Sequence, residues 1–437
     1  MGSPNYSRSG TRRFRRQASH SALAYSVFSP ATAVPFVALL LAIALMPLAA
    51  PRWWERNRNK ALLATLVSAP TLVYLGIHAP HLLVEKGQEY FRFIVVIGAL
   101  FVITGGIHIR GSLAGTPVVN TGVLGIGAVL ANVLGTTGAS VLLIRPLLRA
   151  NKRRKHVAHI VIFFIFIVAN CAGLLTPIGD PPLLLGFLRG VPFAWTLRLW
   201  PQWLVVNGIL LAIFYFWDRQ ALGREEKEEA RVHEPLRIEG WVEMLVLAGV
   251  IVTILASPPG RSAIIVALAL IGYFAGSRER RTQNVFTFGP LIEVVVLFAG
   301  LFATMAPVLE MLNTWAQRSD FAVRTPAQFF WASGALSSVL DNAPTYLAFA
   351  AAAAGLQGLA PHGNYIGMID SSVLAAISTG SVFMGANTYI GNAPNFMVRA
   401  IAQDNGVKMP SFFGYMVYSI GILLPLFIAV AVLFFAA

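Results

Sequence analysis

Two interrupted apolar stretches decide the fold predicted for this chain: Thr176-Pro177-Ile178-Gly179-Asp180-Pro181-Pro182 and Thr388-Tyr389-Ile390-Gly391-Asn392-Ala393-Pro394-Asn395. Each places glycine, proline and a polar side chain inside a hydrophobic run. Because proline removes a backbone donor and clashes with the preceding turn, each stretch predicts a helix that is broken within the run. The shared spacing Thr-x-Ile-Gly-x-x-Pro further indicates two copies of one structural unit.

The amino-acid composition is that of a membrane protein. Of 437 residues, 56% are hydrophobic and 12% are charged, and the mean hydropathy is +0.68. These values lie outside the range of soluble globular chains. Because a crossing helix needs about 20 apolar residues, the sequence predicts an all-α polytopic membrane protein of about 10–12 transmembrane segments. The apolar runs are 35–50, 61–79, 91–109, 157–188, 199–217, 241–256, 262–276, 288–312, 366–402 and 411–436.

Two further apolar stretches, 113–148 and 325–357, have polar and helix-breaking residues at their centres. These centres are residues 132–140 and 337–345. Non-helical backbone is tolerated at membrane depth only where protein or a water-filled cavity satisfies its polar groups. Both stretches therefore predict re-entrant hairpins rather than simple spans.

Span, hairpin and broken helix recur in the same order in both halves, which predicts an internal repeat of about two hundred residues. Matched positions are offset by 201, 206 and 212 residues for Leu100 with Leu301, Thr136 with Asn342, and Thr176 with Thr388. The predicted organisation is a disordered, basic cytoplasmic tail (1–33), transmembrane repeat one (34–217), a charged cytoplasmic linker (218–240) and transmembrane repeat two (241–437).

The distribution of charge predicts how the repeats lie in the membrane. Basic residues cluster between Arg145 and Lys155 and between Arg278 and Arg281, and the positive-inside rule places both segments in the cytoplasm. The first hairpin then opens inward and the second outward, which is inverted topology. The arginines of the N-terminal tail also favour the cytoplasm, but a full crossing at 35–50 would place them outside. Either 35–50 is re-entrant or the tail is an exception.

Other classes of protein are disfavoured. The net charge of +14 comes from basic residues spread beside spans, so nucleic-acid binding is not expected. The lone Cys171 excludes an intrachain disulfide and a cysteine-ligated metal centre. We find no spaced His/Cys/carboxylate cluster and no phosphate-binding glycine loop, so we expect neither an enzyme nor a resident metal or cofactor.

Two carboxyl groups lie at predicted membrane depth: Asp180 in the first broken helix and Asp341 at the second hairpin tip. An ionisable group at this depth is costly unless it faces a cavity or a partner, and it is by default a candidate functional residue. The alternative for each is a purely structural role, capping the half-helix that follows. We predict that both couple proton and cation binding.

Small hard cations prefer oxygen ligands, which unwound helices and nearby hydroxyl, amide and carboxylate groups provide. The candidate cation ligands are Asn132, Thr136, Thr137, Ser140, Thr176, Asn342, Thr345, Asn387, Thr388, Asn392 and Asn395. For any single one, satisfying the backbone is the alternative role. The helix breaks are assigned to Pro177, Gly179, Pro181, Pro182, Pro344, Gly391 and Pro394.

Three segments, 173–182, 340–344 and 385–395, resemble the NhaD-type sodium/proton antiporters of the ion transporter superfamily. That superfamily also holds arsenite permeases and citrate or dicarboxylate transporters. The resemblance covers roughly residues 35–437. It implies two inverted repeats whose hairpins and unwound helices meet at one central site, in a homodimer.

The sequences of the hairpin tips indicate which class of substrate to expect. They read Gly135-Thr136-Thr137-Gly138 and Asp341-Asn342-Ala343-Pro344, rather than the Ser-Asn-Thr type signature of the dicarboxylate transporters, and carboxyl groups would repel a dianion. The first tip lacks the acidic residue that NhaD-type proteins tend to carry. We expect exchange of Na⁺ or Li⁺ for H⁺ by alternating access across a bacterial inner membrane. The alternatives are an arsenite, citrate or dicarboxylate permease, and a channel-like or non-transporting membrane protein.

Overall fold

A computed structural model describes residues 28–110, 114–223 and 237–436. Residues 1–27 of the predicted tail and residues 224–236 of the predicted linker lie outside the described residues. The helices of the first half are α1 (Val34–Ala49), α2 (Pro51–Trp54), α3 (Asn57–His78), α4 (Pro80–Thr104), α5 (Pro117–Ala150), α6 (Ala158–Ile167), α7 (Pro181–Leu188) and α8 (Trp200–Gly223). Short 3-10 turns occupy Pro30–Ala33, Cys171–Leu174 and Phe193–Leu199.

The second half repeats this arrangement. Its helices are α9 (Trp241–Ala256), α10 (Arg261–Ala275), α11 (Arg278–Gln283), α12 (Gly289–Ala316), α13 (Pro326–Ser337), α14 (Asn342–Leu356), α15 (Ser371–Met384), α16 (Ala393–Asp404) and α17 (Phe412–Phe435). Its 3-10 turns are Tyr365–Met368 and Gly385–Asn387. A short antiparallel pair joins β1 (His108–Arg110) to β2 (Arg237–Glu239), with Ile109 opposite Ile238.

By length and composition, seven helices among the described residues can cross a membrane: α1, α3, α4, α5, α8, α12 and α17, some with an adjoining 3-10 turn. Three shorter apolar segments, at α6, α9 and α10, add to them. The prediction of an all-α polytopic membrane protein is confirmed.

The first hairpin is formed by α5, which breaks at Gly135, where φ is +75° and ψ is 158°. Asn120 lies near the start of α5 and Asn151 directly after its end. Their side-chain amides donate to each other's oxygens at 3.0 and 2.8 Å, so the two ends of the hairpin lie side by side. A left-handed φ favours glycine, and a β-carbon at Gly135 would also lie only 3.2 Å from the Ile178 carbonyl oxygen. The chain thus reverses at the predicted tip.

The second hairpin consists of α13 and α14. The Phe329 and Phe349 rings, one on each arm, have centroids 6.3 Å apart, so the two helices run side by side. The turn between them contains Asp341, which accepts a hydrogen bond from the Ala343 N–H at 3.0 Å and caps α14. Both predicted re-entrant hairpins are therefore present.

The matched helices α4 and α12 run in opposite directions. Near one end, the rings of Phe101 and Phe286 are 5.4 Å apart, and at the other Glu85 and Glu310 both approach His362. Since each hairpin follows the C-terminal end of its helix, the hairpins open on opposite faces, as predicted. We name the face that carries the base of α5 and the segment 278–281 the basic face, and the other the far face.

The chain enters α1 from the far face. The Thr32 hydroxyl lies 3.7 Å from the sulfur of Met311 near the C-terminal end of α12, and Leu39 approaches Gly300 near the middle of that helix. The segment predicted at 35–50 is therefore a crossing helix, not a re-entrant one. Residue 28 lies on the face opposite the basic loops, so the described end of the predicted tail does not lie on the predicted cytoplasmic side.

The predicted linker boundary at residue 218 is wrong. Helix α8 continues to Gly223, and Asp218 is fully buried within it. Its carboxylate accepts hydrogen bonds from Asn120 at 2.9 Å and His159 at 2.8 Å, and pairs with Arg154 at 2.6 Å. The charge of Asp218 predicts a solvated linker, because the partners that compensate it within the span lie far away in sequence.

Candidate functional site

The first unwound segment is held against the first hairpin tip by a side-chain clamp. The Thr176 hydroxyl donates to the Asn132 carbonyl oxygen at 2.6 Å and accepts from the Gly179 N–H at 3.1 Å. The Asn132 side-chain oxygen accepts from the Leu175 N–H at 2.9 Å. These bonds satisfy the Asn132 carbonyl oxygen and the Leu175 N–H, which the broken helix leaves unpaired, and they give the Gly179 N–H a second acceptor beside the Thr176 carbonyl oxygen. Asn132 and Thr176 therefore brace the segment.

The second unwound segment has the same clamp. The Thr388 hydroxyl donates to the Ser338 carbonyl oxygen at 2.6 Å and accepts from the Gly391 N–H at 3.1 Å. The Asn387 amide donates to the Ser338 hydroxyl at 2.9 Å. Asn387 and Thr388 thus brace the backbone as their counterparts do in the first half.

Each clamp closes around a pair of glycines. A β-carbon on Gly179 would lie 2.3 Å from the Gly173 carbonyl oxygen, and one on Gly391 would lie 2.6 Å from the Gly385 carbonyl oxygen. Real β-carbons do not approach this closely, so both positions require glycine in this backbone. The glycines allow the unwound segment to turn back on itself immediately before the next half-helix.

Asp180 is the centre of the site. Its Oδ1 accepts hydrogen bonds from the Thr136 hydroxyl at 2.8 Å and the Asn392 amide at 3.3 Å, and its Oδ2 accepts from the Asn342 amide. The residue is 1% exposed, and its side chain makes no capping bond to α7. The alternative that Asp180 only caps the half-helix is therefore wrong.

These four residues form two matched pairs. Thr136 and Asn342 occupy equivalent positions at the two hairpin tips. Asp180 and Asn392 occupy equivalent positions before α7 and α16, with extended backbone at φ −146° and −152°. The two repeats therefore meet at this point, and each contributes one residue from its tip and one from its broken helix.

A cavity of about 320 Å³ reaches this centre. It is lined by residues of α1, α4 and α12 near the basic face, and by Thr136, Thr137 and three acidic residues, Asp180, Asp341 and Glu293. Among the described residues that line it, none is Lys, Arg or His. An anionic ligand would find no basic lining side chain here.

Comparison with known proteins gives a family. The chain matches, over residues 26–435, the model of a family described as "Putative citrate transport". It belongs to this citrate-transport family. No curated protein matches the chain. Family and fold together make the chain a multi-pass membrane transporter of the citrate and ion transporter superfamily, a secondary carrier.

The position of Asp341 in this transporter is compatible with both roles considered for it. Its Oδ1 accepts from the Ala343 N–H, so the capping role is real. The side chain is also half-buried, lines the cavity, and lies close enough to Asp180 for the two carboxyl groups to repel each other. Capping and ion contact are compatible, because only one carboxyl oxygen makes the capping bond.

Two other predicted residues, Thr345 and Ser140, are not among the described donors to Asp180. The Thr345 hydroxyl donates to the Asp341 carbonyl oxygen at 2.9 Å, within its own helix. The Ser140 hydroxyl is buried and has no hydrogen-bond partner among the described residues. The predicted helix breaks fall where helices begin or in the unwound segments: Pro177, Gly179 and Gly391 in the segments, Pro181 and Pro182 opening α7, Pro344 in the first turn of α14, and Pro394 in that of α16.

Sequence reasoning missed two residues of the transporter's site. Asn170 donates to the Asn395 side-chain oxygen at 2.6 Å and accepts from Asn392 at 3.3 Å, which links the two broken helices. The sequence marks Asn170 only as a single amide side chain in the apolar run before the first break. Glu293 lines the cavity and pairs with the buried Lys60 at 2.7 Å. Its position near a span end concealed this contact.

Proposed function

We propose that the transporter exchanges Na⁺ or Li⁺ for H⁺ by alternating access across a bacterial inner membrane. The observation that carries this proposal is the cavity at the repeat interface. Three of its lining residues are acidic, and none of the described lining residues is basic. Glu293 is paired with Lys60, so the negative charge of the site comes from Asp180 and Asp341. A site of this charge attracts a cation and repels a carboxylate substrate.

An unsatisfied acceptor beside Asp180 supports cation binding. The Asn342 amide donates to Asp180, but its side-chain oxygen is buried without a hydrogen-bond partner among the described residues. Such groups are rare in folded proteins, where an ion or water commonly satisfies them. Carboxylate, hydroxyl and amide oxygens are ligands for hard cations, and Asp180, Thr136 and Asn342 supply one of each.

The same carboxyl group can account for exchange. In the absence of a cation, hydrogen bonds from Thr136, Asn342 and Asn392 stabilise the Asp180 carboxylate. A proton or a cation would each neutralise it, and the neutralised carboxyl group would attract the other less strongly. Alternate occupancy by H⁺ and Na⁺, combined with opening to one face at a time, is sufficient for antiport. Asp341 would add a second carboxyl group to the path from the basic face.

The test uses proteoliposomes with a preset pH gradient and a pH-sensitive dye, to which Na⁺, Li⁺, K⁺, citrate and arsenite are added in turn. At an effective dielectric constant of about 20, unit charges about 4 Å apart attract by about 4 kcal/mol. Asp180→Asn should therefore reduce Na⁺-driven proton flux by about 100-fold or more, and Asp341→Asn should reduce it less.

The matched control is Asp370→Asn. Asp370 is also an aspartate that caps a helix, accepting from the Ser372 N–H at 2.9 Å, but it is exposed on the far face. Its variant should retain parental flux. Correctly inserted parent protein that shows no response to any monovalent cation would exclude antiport.

Family membership favours citrate as a second candidate substrate. A citrate trianion would meet the acidic residues of the cavity, so it could bind only with its own charge neutralised by protons or cations. Counterflow of labelled citrate in the same proteoliposomes separates the candidates. Saturable citrate uptake without a cation-driven pH response would replace the antiport proposal.

A further inference from the structure

The far side of the site is closed by buried charged side chains. Arg189, at the C-terminal end of α7, is 2% exposed. Its guanidinium donates to Glu89 of α4 at 2.5 Å and to the Tyr365 hydroxyl at 3.1 Å. A fully buried arginine is stable only when it is paired. Arg189 therefore joins α7 and the Tyr365 turn to α4.

A second set of ion pairs lies beside the first. The His362 ring approaches Glu310 of α12 at 3.1 Å and Glu85 of α4 at 3.7 Å. The neighbouring Lys86 pairs with both Glu85 and Glu89, at 3.3 and 3.2 Å. The carboxylate of Glu85, together with that of Glu310, raises the pKa of His362, which favours the charged ring. We name these residues the far-face cluster: Glu85, Lys86, Glu89, Arg189, Glu310, His362 and Tyr365.

The far-face cluster lies between two groups of elements. On one side are α4 and α12, which also line the cavity nearer the basic face. On the other are α7 and the segment 357–370, which are packed together: the Gly367 N–H donates to the Arg189 carbonyl oxygen at 3.3 Å, and Gly367 approaches Gly190 too closely for a β-carbon. The ion pairs are thus direct links between these two groups.

Helix α7 connects the far-face cluster to the site. It begins directly after Asp180 and ends directly before Arg189, and a helix of this length is only about 12 Å long. A movement of α7 that exposes Asp180 to the far face must therefore also move Arg189 relative to Glu89. In this structure the cavity reaches Asp180 from the basic face. In the same structure the ion pairs on the far face are formed.

We propose that the far-face cluster is the gate on the far side of the transporter, closed by the Arg189–Glu89 and His362–Glu85–Glu310 ion pairs and opened when these pairs separate. The inference rests on the proposed function only in requiring alternating access, and it is independent of which ion or anion is carried. Weakening the pairs should shift the conformational population toward states open to the far face.

Cysteine accessibility tests this gate. The reporter is Ser378→Cys, a buried position on α15 beside Tyr346, whose hydroxyl packs against Gly186 of α7. The background is Cys171→Ala, which removes the native cysteine. A membrane-impermeant maleimide is added to vesicles of both orientations. In vesicles that expose the far face, Glu89→Gln should raise the labelling rate at least about fivefold through a shift in population, and His362→Gln should raise it less.

The matched control is Asp320→Asn, which removes the ion pair between Arg318 and Asp320. Their side chains are also on the far face but are 66% and 60% exposed, and they lie two residues apart in one loop, so this pair cannot join separate elements. Its labelling rate should equal the parental rate. Parental labelling in both Glu89→Gln and His362→Gln would overturn the gate, and His362→Gln keeps the test decisive if Glu89→Gln does not fold. Because labelling needs no substrate, loss of Na⁺ exchange alone would not affect this result.

Discussion

The two broken helices have the same backbone arrangement but differ in charge. In both, a threonine hydroxyl donates to a hairpin-tip carbonyl oxygen at 2.6 Å and accepts from a glycine N–H at 3.1 Å. The next residue is Asp180 in one half and Asn392 in the other, and the two side chains contact at 3.3 Å. Two carboxylates at that distance would repel strongly. The difference indicates that the repeats supply a symmetric frame around a single central carboxyl group.

Exchanging the two residues is the strongest test of this comparison. If the frame is symmetric, Asp180→Asn combined with Asn392→Asp restores one carboxyl group and one amide at the same point. We expect the double variant to recover proton flux by at least about tenfold over Asp180→Asn alone, a non-additive effect typical of residues in contact. Flux is measured in the proteoliposomes described above. The single variant Asn392→Asp is the control, and it should be impaired because both positions are then acidic.

No recovery in a folded double variant would contradict this prediction. It would show that the surroundings of Asp180, and not only the position of a carboxyl group, determine activity. Asn170 would then be the next residue to test, because it hydrogen-bonds with Asn392 and Asn395, whereas the bonds to Asp180 come from Thr136, Asn342 and Asn392.

The frame of the site could be predicted from the sequence, whereas its side-chain contacts could not. Proline and glycine that cluster with polar residues inside an apolar run favour a backbone break, so both unwound segments and the Gly135 tip followed from local chemistry. Which of the polar residues reach Asp180 depends on contacts between distant parts of the chain, such as Asn342, 162 residues away. Thr136, Asn342 and Asn392 do reach it, while Asn132, Thr176, Asn387 and Thr388 bind backbone instead.

Charged residues near span ends were the hardest to assign. The sequence places Asp218 at the start of a solvated linker and Glu293 near the end of a span, and it does not show that Arg154 and Lys60 pair with them. A buried charge in a membrane protein is compensated by a partner that periodicity does not reveal. The far-face cluster has the same property, since Arg189 is separated from Glu89 by 100 residues.

The glycine pairs test the shared backbone directly. Gly179→Ala places a methyl group 2.3 Å from the Gly173 carbonyl oxygen, and Gly391→Ala places one 2.6 Å from that of Gly385. Overpacking of this kind costs about 1–3 kcal/mol, and we expect the Gly179 variant to lose more stability than the Gly391 variant. Thermal unfolding in detergent measures both.

The control for the glycine variants is Gly208→Ala. Gly208 lies in α8, and a β-carbon there would have no atom within 4 Å. Alanine in a helix interior should raise stability by about 0.5–1 kcal/mol. Equal melting temperatures for Gly179→Ala and the parent would show that the unwound segment can relax, and that the close approach is not a requirement of the fold.

The threonine clamps give the finest comparison between the halves. Thr176→Val and Thr388→Val keep the shape of the side chain but remove the hydroxyl, which takes the donor away from the Asn132 or the Ser338 carbonyl oxygen. The Gly391 N–H also loses its acceptor, whereas the Gly179 N–H keeps a bond to the Thr176 carbonyl oxygen at 3.0 Å. An unsatisfied buried polar group costs about 1–3 kcal/mol, so both variants should lose stability in detergent unfolding, and Thr388→Val should lose more because it leaves two backbone groups unpaired. Exposed Thr282, whose hydroxyl donates to the Arg278 carbonyl oxygen at 3.0 Å, is the control, and its valine variant should change stability by less than about 0.5 kcal/mol.

Proton flux should fall further in Thr176→Val than in Thr388→Val, because Asp180 follows the Thr176 clamp. Equal flux in the two variants would mean that the charged half has no greater part in transport than its neutral counterpart.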